Sequence, residues 1–314
     1  MKDLSLPTAP FFGDIVDGPN GGAAYWLSAD GVRIRAAVWP DGAAGTVLLF
    51  PGRTEYAEKY GRAASDLRSR GYATVAIDWR GQGLADRALP DRMAGHVGDF
   101  AEYQADVQAV LRLVEQLDLP RPLYLMGHSM GGCIGLRALM RGLPVRAAVF
   151  SAPMWGIAMA AWMRPLAQGI SQMSGWFGQA HRFAPGTSAQ TYVAEAVFGG
   201  NVLTTDPDMW MYMKGQVTQR PELALAGPSL GWLHAALTEC TALSLLPAPD
   251  VPCVTWLGTS ERVVDPAPVH LRMAGWRAGQ IEMMSGAEHE IMMETHDRRA
   301  VFFDSAARLF RANP

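Results

Sequence analysis

The sequence lacks any apolar stretch long enough to cross a membrane. No window of its 314 residues approaches the roughly 18 consecutive apolar residues that a spanning helix needs. The N-terminal segment 1–10 also lacks the apolar core of a signal peptide. These absences predict a cytoplasmic protein, and they leave peripheral contact with the inner face of the membrane open.

An excess of charge of one sign is also missing. The 27 Lys and Arg residues nearly balance the 30 Asp and Glu residues, which gives a formal net charge of −3, and no dense basic run occurs. Such a charge distribution provides no basic patch that would bind the phosphates of nucleic acid. We therefore expect a small or neutral partner and no nucleic acid, and the oligomeric state stays open.

Cysteine is scarce. The three cysteines are odd in number, widely spaced and set among apolar residues: Cys133, Cys240 and Cys253. This pattern favours buried thiols over a disulfide framework or a metal site. We expect no metal and no cofactor, and a reducing compartment fits the free thiols.

In residues 23–150 and again after residue 250, short continuous apolar runs alternate with segments whose apolar residues have helical spacing. A hairpin is predicted at 23–39 with its turn at Asp30 and Gly31, and buried strands at 46–50, 73–77, 123–127, 147–150, 251–257 and 280–284. Helices are predicted at about 55–70, 100–117, 130–139 and 295–310. This alternation implies an α/β fold with a mostly parallel sheet, helices on both faces, and ligands beyond the carboxyl ends of the strands.

The alternation stops between residues 154 and 249. This span is rich in Trp and Met, is punctuated by Pro and Gly, and shows no buried-strand run. We interpret it as a helical cap inserted into a core formed by 1–153 and 250–314. Most of its large side chains are expected to dock the cap on the core, and some to line a pocket for an acyl chain, since flexible methionines and broad aromatic faces suit one.

The organising stretch of the chain is a strand followed at once by Gly-His-Ser-Met-Gly at 127–131. Glycines at both ends of this pattern allow a cramped turn between strand and helix, and the turn holds Ser129 in strained geometry with its hydroxyl above the sheet. A serine hydroxyl is a weak nucleophile until a base removes its proton and a third group orients that base. Ser129 is therefore the candidate nucleophile.

Candidates for the base and the acid follow later strands. His289 lies in the loop after the last strand, whereas His128 adjoins Ser129 on the tight turn and is expected to be structural. Glu261 and Asp265 both follow the strand 251–257, in the chain order of nucleophile, acid and histidine that this fold uses. Asp265 precedes a proline and a predicted helix, where Asp is a favoured cap.

Short motifs across the core resemble those of one family. They are Pro-Gly-Arg-Thr-Glu-Tyr at 51–56 with Glu-Lys-Tyr at 58–60, Asp-Trp-Arg-Gly-Gln-Gly at 78–83, Gly-His-Ser-Met-Gly-Gly at 127–132, Gly-Thr-Ser-Glu at 258–261 and Gly-Ala-Glu-His-Glu at 286–290. The chain thereby resembles the α/β-hydrolases of the bacterial lysophospholipase and monoacylglycerol lipase group. The resemblance implies the α/β-hydrolase fold and hydrolysis of a monoacyl lipid ester through an acyl-enzyme on Ser129.

The resemblance also assigns the remaining roles. Glu261 occupies the position of the acid, with His289 as base, and the backbone N–H groups of Arg53 and Met130 form the oxyanion hole. Two departures stand out, because many relatives have His-Gly in place of Pro-Gly at 51–52 and Asp in place of Glu261. The first need not impair catalysis, since the oxyanion donor is a backbone group beyond the proline.

Other functions share the same residues. A small-ester carboxylesterase or an acyltransferase would use the same triad, so the triad does not distinguish them. A non-catalytic binding member of the fold usually lacks the serine or the histidine, and both are present here. Enzymes of this fold with an aspartate nucleophile are disfavoured by Ser129.

Overall fold

The computed structural model describes residues 6–160, 162–187 and 189–314. The first five residues of the N-terminal segment discussed above lie outside these ranges. The strands are β1 (Thr8–Ala9), β2 (Ala23–Ala29), β3 (Val32–Ala43), β4 (Thr46–Phe50), β5 (Tyr72–Asp78), β6 (Leu123–His128), β7 (Ala148–Ser151), β8 (Cys253–Gly258) and β9 (Gly279–Met284). The helices are α1 (Gly61–Arg68), α2 (Tyr103–Gln116), α3 (Met130–Met140), α4 (Met163–Trp176), α5 (Tyr192–Glu195), α6 (Pro207–Gln219), α7 (Leu230–Ser244), α8 (Pro266–Ala274) and α9 (His296–Arg311).

One sheet contains all of these strands, in the order β1-β2-β3-β5-β4-β6-β7-β8-β9. The strands from β5 to β9 in this order pair in parallel, whereas β1, β2 and β3 form an antiparallel edge that pairs antiparallel with β5. The hairpin turns at Asp30 and Gly31, because Ala29 pairs with Val32. The predicted mostly parallel α/β sheet is confirmed, and β1 was missed because two residues carry no periodicity.

Hydrophobic side chains on both faces of the sheet are buried. Along β4, Val47 and Leu49 join a cluster that includes Leu67 of α1 and Phe302 and Phe303 of α9. Leu48 and Phe50 join the opposite cluster, with residues of α2, α3 and α8. Side chains alternate along a strand, so a continuous apolar run fills both layers. The three cysteines are buried free thiols, as predicted.

The predicted helix at 55–70 differs in detail from the observed one. Residues Ala57–Tyr60 form a 3-10 turn, and α1 then covers Gly61–Arg68. The turn is tighter because the Ala57 N–H donates to Asp78 Oδ1 at 2.7 Å, and because Glu58 and Lys59 both point into buried ion pairs. A helix at 100–117 likewise begins as a 3-10 turn, Phe100–Glu102, capped by Asp99.

The region between 154 and 249 contains helices α4 to α7. Helix α4 packs on α7, and α5 packs on α6. The region is tied to the rest of the chain by a bidentate ion pair from Arg137 of α3 to Glu239 of α7, at 2.7 Å for each bond. Gln216 of α6 also donates to the Ile15 carbonyl at 2.8 Å. We propose that this region forms a cap on the core that the rest of the chain makes. Within the described residues, no helix is both long and apolar enough to span a bilayer.

Candidate active site

The site is built at the carboxyl ends of β4 and β6, which are adjacent strands. Phe50 pairs with Gly127, so the loop after β4 and the turn after β6 leave the sheet side by side. The direction in which strands are added to the sheet reverses at β4, because the chain places β5 on one side of β4 and then β6 on the other side. Crevices of α/β sheets form at such reversals.

Ser129 has a strained backbone. Its φ of 49° and ψ of −118° lie outside the conformations that ordinary residues favour. A Cβ atom on residue 131 would meet the Phe50 carbonyl oxygen at 2.0 Å, and one on residue 127 would meet Gly132 at 3.1 Å. Glycine is therefore required at residue 131, and a side chain at residue 127 would be tightly packed. The turn from strand to helix has the form that the sequence predicted.

His289 and Glu261 are joined by a short hydrogen bond. Nδ1 of His289 lies 2.8 Å from Oε2 of Glu261. The other carboxylate oxygen, Oε1, accepts the N–H groups of Val263 at 2.6 Å and Val264 at 3.0 Å. The glutamate is held at both oxygens, and the bond at Nδ1 leaves Nε2 of the imidazole as the atom available for a proton.

The electrostatics favour an ionised Glu261. Burial by itself would raise the pKa of this carboxyl, but the hydrogen bond and charge of His289 and the N–H groups of Val264 and Val263 outweigh it and lower the pKa. An ionised carboxylate at Nδ1 stabilises an imidazolium. Asp265, by contrast, caps α8, and its Oδ1 accepts the Ala267 N–H at 3.1 Å.

Ser129 and His289 line the same cavity. Ser129 is 8% exposed and His289 is 3% exposed. Among the hydrogen bonds between described residues, none joins the serine hydroxyl to the imidazole. Such bonds are often long in unliganded enzymes and shorten when substrate binds.

The two oxyanion candidates lie on either side of Ser129. Met130 is the first residue of α3, where a helix has free N–H groups. The loop of Arg53 approaches the nucleophile closely, because a Cβ on residue 52 would lie 3.1 Å from Cβ of Ser129. The carbonyl of Pro51 accepts the Trp79 indole N–H at 2.9 Å. This hydrogen bond holds the loop in place at the position where many relatives have histidine.

A buried ionic network supports this loop. Lys59 Nζ lies 2.7 Å from Glu55 Oε1 and 2.5 Å from Glu290 Oε2. Glu55 also accepts the Gly52 N–H and the Tyr60 hydroxyl. Lys59 therefore connects the loop that carries Arg53 to the residue that follows His289. The sequence showed these residues only inside family motifs, and no periodicity indicated their pairing.

The charges of this network determine one another. Burial would raise the pKa of Glu55, but Lys59 and His128 overcome it and lower the pKa to about 2. Burial raises the pKa of Glu290, which Lys59 only partly offsets. Burial would lower the pKa of Lys59, and Glu290 and Glu55 together raise it. The ammonium is thus held in its charged form by its two neighbours.

His128 has the surroundings of a structural residue. Its Nδ1 lies 3.0 Å from the Ser151 carbonyl, and its ring centroid lies 4.7 Å from that of His289. Burial lowers its pKa to about 4, so the ring is neutral. Glu55, His128 and Glu290 carry ligand-type atoms within 4.8 Å of one another, but the Lys59 ammonium is already ion-paired with both carboxylates.

The cavity above these residues has a volume of about 710 Å³. Its apolar wall comes largely from the region between 154 and 249, together with the loop after β8: Met154, Ile157, Val193, Leu203, Met213, Val217, Leu225, Trp232, Leu233, Val263 and Val264. Of the Trp and Met residues of this region, Met154, Met213 and Trp232 reach this wall. Trp155, Met209 and Trp210 are core residues instead.

Comparisons with known proteins agree with one another. The profile of the Hydrolase_4 family, described as serine aminopeptidase S33, matches residues 41–296. Lysophospholipase L2 of Escherichia coli strain K12 is 30% identical over 277 residues, which cover 84% of this chain and 79% of that protein. A probable lysophospholipase L2 of Haemophilus influenzae is 27% identical over 255 residues, which cover 81% of this chain and 79% of the relative.

A solved structure of a soluble variant of monoglyceride lipase from Saccharomyces cerevisiae superimposes with a TM-score of 0.72 at 20% identity, over 95% of this chain and 98% of that one. A monoacylglycerol lipase from Paleococcus ferrophilus gives a TM-score of 0.66 at 18% identity, over 90% and 99%. These likenesses show that the fold is that of the α/β-hydrolases.

The two candidate acids, Glu261 and Asp265, are expected to respond differently to amide substitution. Glu261→Gln should reduce turnover by about ten-thousandfold, because the amide would no longer stabilise the charged imidazole or hold its tautomer. Asp265→Asn should leave turnover nearly unchanged, since Asn also caps helices. Turnover and melting temperature of both variants would be measured. An inactive Asp265→Asn beside an active Glu261→Gln would reverse the assignment.

Proposed function

The chain belongs to the serine hydrolase family described as S33, and from this we propose that it hydrolyses the carboxylic ester of a monoacyl lipid, a lysophospholipid or a monoacylglycerol. The observation that carries the proposal is the cavity of about 710 Å³, which joins Ser129 and His289 to a long apolar wall. Its volume falls within the range of roughly 300–1,000 Å³ that is typical of small-molecule sites.

The proposed reaction uses the groups already described. Nε2 of His289 removes the proton of Ser129 as Oγ attacks the ester carbonyl carbon, and the N–H groups of Arg53 and Met130 stabilise the oxyanion. The imidazolium, stabilised by Glu261, then protonates the departing alcohol. Water, activated by the same imidazole, attacks the acyl-enzyme and releases the fatty acid and the free serine.

We also propose peripheral contact with lipid surfaces through α4. Large apolar side chains are exposed along α4 and just beyond its ends: Trp162, Met163, Leu166, Ile170, Met173, Trp176 and Phe177. Their spacing of three and four residues places most of them on one face of the helix. A monomeric protein rarely exposes such a stripe without a binding function. Substrates that gather in membranes and micelles supply the surface that would cover it.

Ser129 and His289 are expected to act as one catalytic unit. Ser129→Ala and His289→Ala should each lower turnover at least about a thousandfold, and the double variant should lose little more. Turnover would be measured with a monoacyl lipid, and labelling by a fluorophosphonate would identify Ser129. Additive losses, or a folded wild type that is not labelled, would contradict the proposal.

Longer acyl chains should be better substrates until the cavity is full. Each buried methylene contributes about 0.8 kcal/mol, so several added carbons should raise kcat/KM by tens to hundreds of times. A series of p-nitrophenyl esters measures this dependence, and a maximum at acetate would favour a small-ester esterase.

A matched pair of variants locates the acyl pocket. Val193→Phe adds volume to the cavity wall and should shift the preferred chain to shorter esters. Val197→Phe serves as the control, because Val197 is 73% exposed and does not line the cavity. An equal effect of both substitutions would place the acyl chain elsewhere.

The exposed side chains at the C-terminal end of α4 should govern binding to lipid surfaces. Trp176 and Phe177 are 76% and 68% exposed, so Trp176→Ser with Phe177→Ser should leave the fold intact. Each large apolar side chain contributes about 1.5–3 kcal/mol when fully buried, so the double variant should bind phosphatidylcholine vesicles at least about tenfold more weakly. Cosedimentation measures this loss. Leu271→Ser, at a 77% exposed position on α8, is the control, and equal losses would refute the assignment to α4.

A further inference from the structure

The charged side chains that line the active-site cavity are unevenly paired. They are Arg53, Glu55, Lys59, Glu195 and Glu290. Lys59 is ion-paired with both Glu55 and Glu290. Glu195 is exposed at the end of α5. In the part of the chain that the structure describes, Arg53 is the one lining cation with no carboxylate at ion-pair distance.

The guanidinium of Arg53 is held in place by one hydrogen bond and by an aromatic ring. Its Nη1 donates to the Ala226 carbonyl at 2.6 Å, and its central carbon lies 5.5 Å from the Trp232 ring centroid. A guanidinium has five N–H donors, and this carbonyl accepts one of them. Burial lowers the pKa of Arg53 to about 10, which still leaves it charged at neutral pH. The group thus brings an uncompensated positive charge and free donors to the cavity.

We propose, on the basis of the ester hydrolysis above, that the Arg53 side chain binds the phosphodiester of a lysophospholipid head group and makes such lipids better substrates than monoacylglycerols. The planar fork of a guanidinium matches the oxygens of a phosphate. The hydroxyls of a monoacylglycerol offer no anion to it.

The position of Arg53 beside the scissile bond supports this assignment. Its backbone N–H is the proposed donor to the ester carbonyl oxygen, and its side chain extends along the same wall to Ala226 and Trp232. In a lysophospholipid a short glycerol segment joins the ester to the phosphate. A carbonyl held at the backbone therefore places the phosphate within reach of the side chain of the same residue.

A purely structural role would predict something different. The bond to Ala226 ties the loop after β4 to the segment that precedes α7, so losing the side chain could loosen both. That effect would reduce the hydrolysis of every ester alike. Binding of a phosphate would instead change the ratio between an anionic-phosphate substrate and a neutral substrate with the same acyl chain.

The experiment compares kcat/KM for 1-palmitoyl-lysophosphatidylcholine and 1-palmitoylglycerol in wild type, Arg53→Met, Arg53→Lys and Arg112→Met. Methionine keeps an apolar stem against Trp232, and lysine keeps the charge without the fork. Arg112 is the matched control, because it also donates to one backbone carbonyl, that of Ser28, and does not line the cavity. Loss of a charge-assisted hydrogen bond should lower the ratio by about 10- to 100-fold in Arg53→Met, and by less in Arg53→Lys. Arg112→Met should keep the wild-type ratio.

A binding measurement covers the case in which Arg53→Met fails to fold. An uncleavable 1-O-alkyl-glycerophosphocholine should inhibit p-nitrophenyl butyrate hydrolysis by wild type more strongly than the matching 1-O-alkylglycerol, and Arg53→Lys should reduce this difference. Parallel losses for both palmitoyl esters, or equal inhibition by both ethers, would overturn the inference while ester hydrolysis stood. A wild type that cleaves neither palmitoyl ester would remove the proposed function itself, and this inference with it.

Discussion

The two loops that flank Ser129 depend on the buried ammonium of Lys59. It lies between Glu55, whose carboxylate accepts the Gly52 N–H of the loop after β4, and Glu290, which directly follows His289. Removing Lys59 would leave these two buried carboxylates without their shared cation, and breaking a buried ion pair in this way typically costs about 3–5 kcal/mol. The relative position of the proposed oxyanion donor and the proposed base is therefore set by charge neutralisation as well as by packing.

The 3-10 turn Ala57–Tyr60, which carries Lys59, also connects the ionic network of Lys59 to the antiparallel edge of the sheet. Glu58, next to Lys59 in the 3-10 turn, accepts two hydrogen bonds from Arg35 of β3, at 2.8 and 2.6 Å. Arg35 also donates to Asp78 at the end of β5 at 2.7 Å. Consecutive residues thus face two buried ionic networks, one structural and one beside the site. Because both must be satisfied, the turn has little freedom to move.

The region between 154 and 249 contains two groups of large apolar side chains. Buried ones, such as Met213 and Trp232, line the cavity that contains Ser129, whereas the apolar side chains along α4 remain exposed. The sequence did not separate these groups, because both are rich in Trp and Met. Exposure depends on which helix face packs against α7 and the core, and that is decided by contacts between segments far apart in the chain.

Local physical rules determined much of this protein from the sequence by itself. A strand followed by Gly-x-Ser-x-Gly forces a strained turn, alternating strands and helices produce a parallel sheet, and Asp before Pro266 caps a helix. The choice of Glu261 rested on the family resemblance, and the structure places its carboxylate at His289. Only the tertiary structure decided that Lys59 joins Glu55 to Glu290, and that Arg53 has no ion-pair partner among the described residues. These facts are pairings between groups separated in the chain, and their energies depend on burial and distance, which periodicity and spacing do not contain.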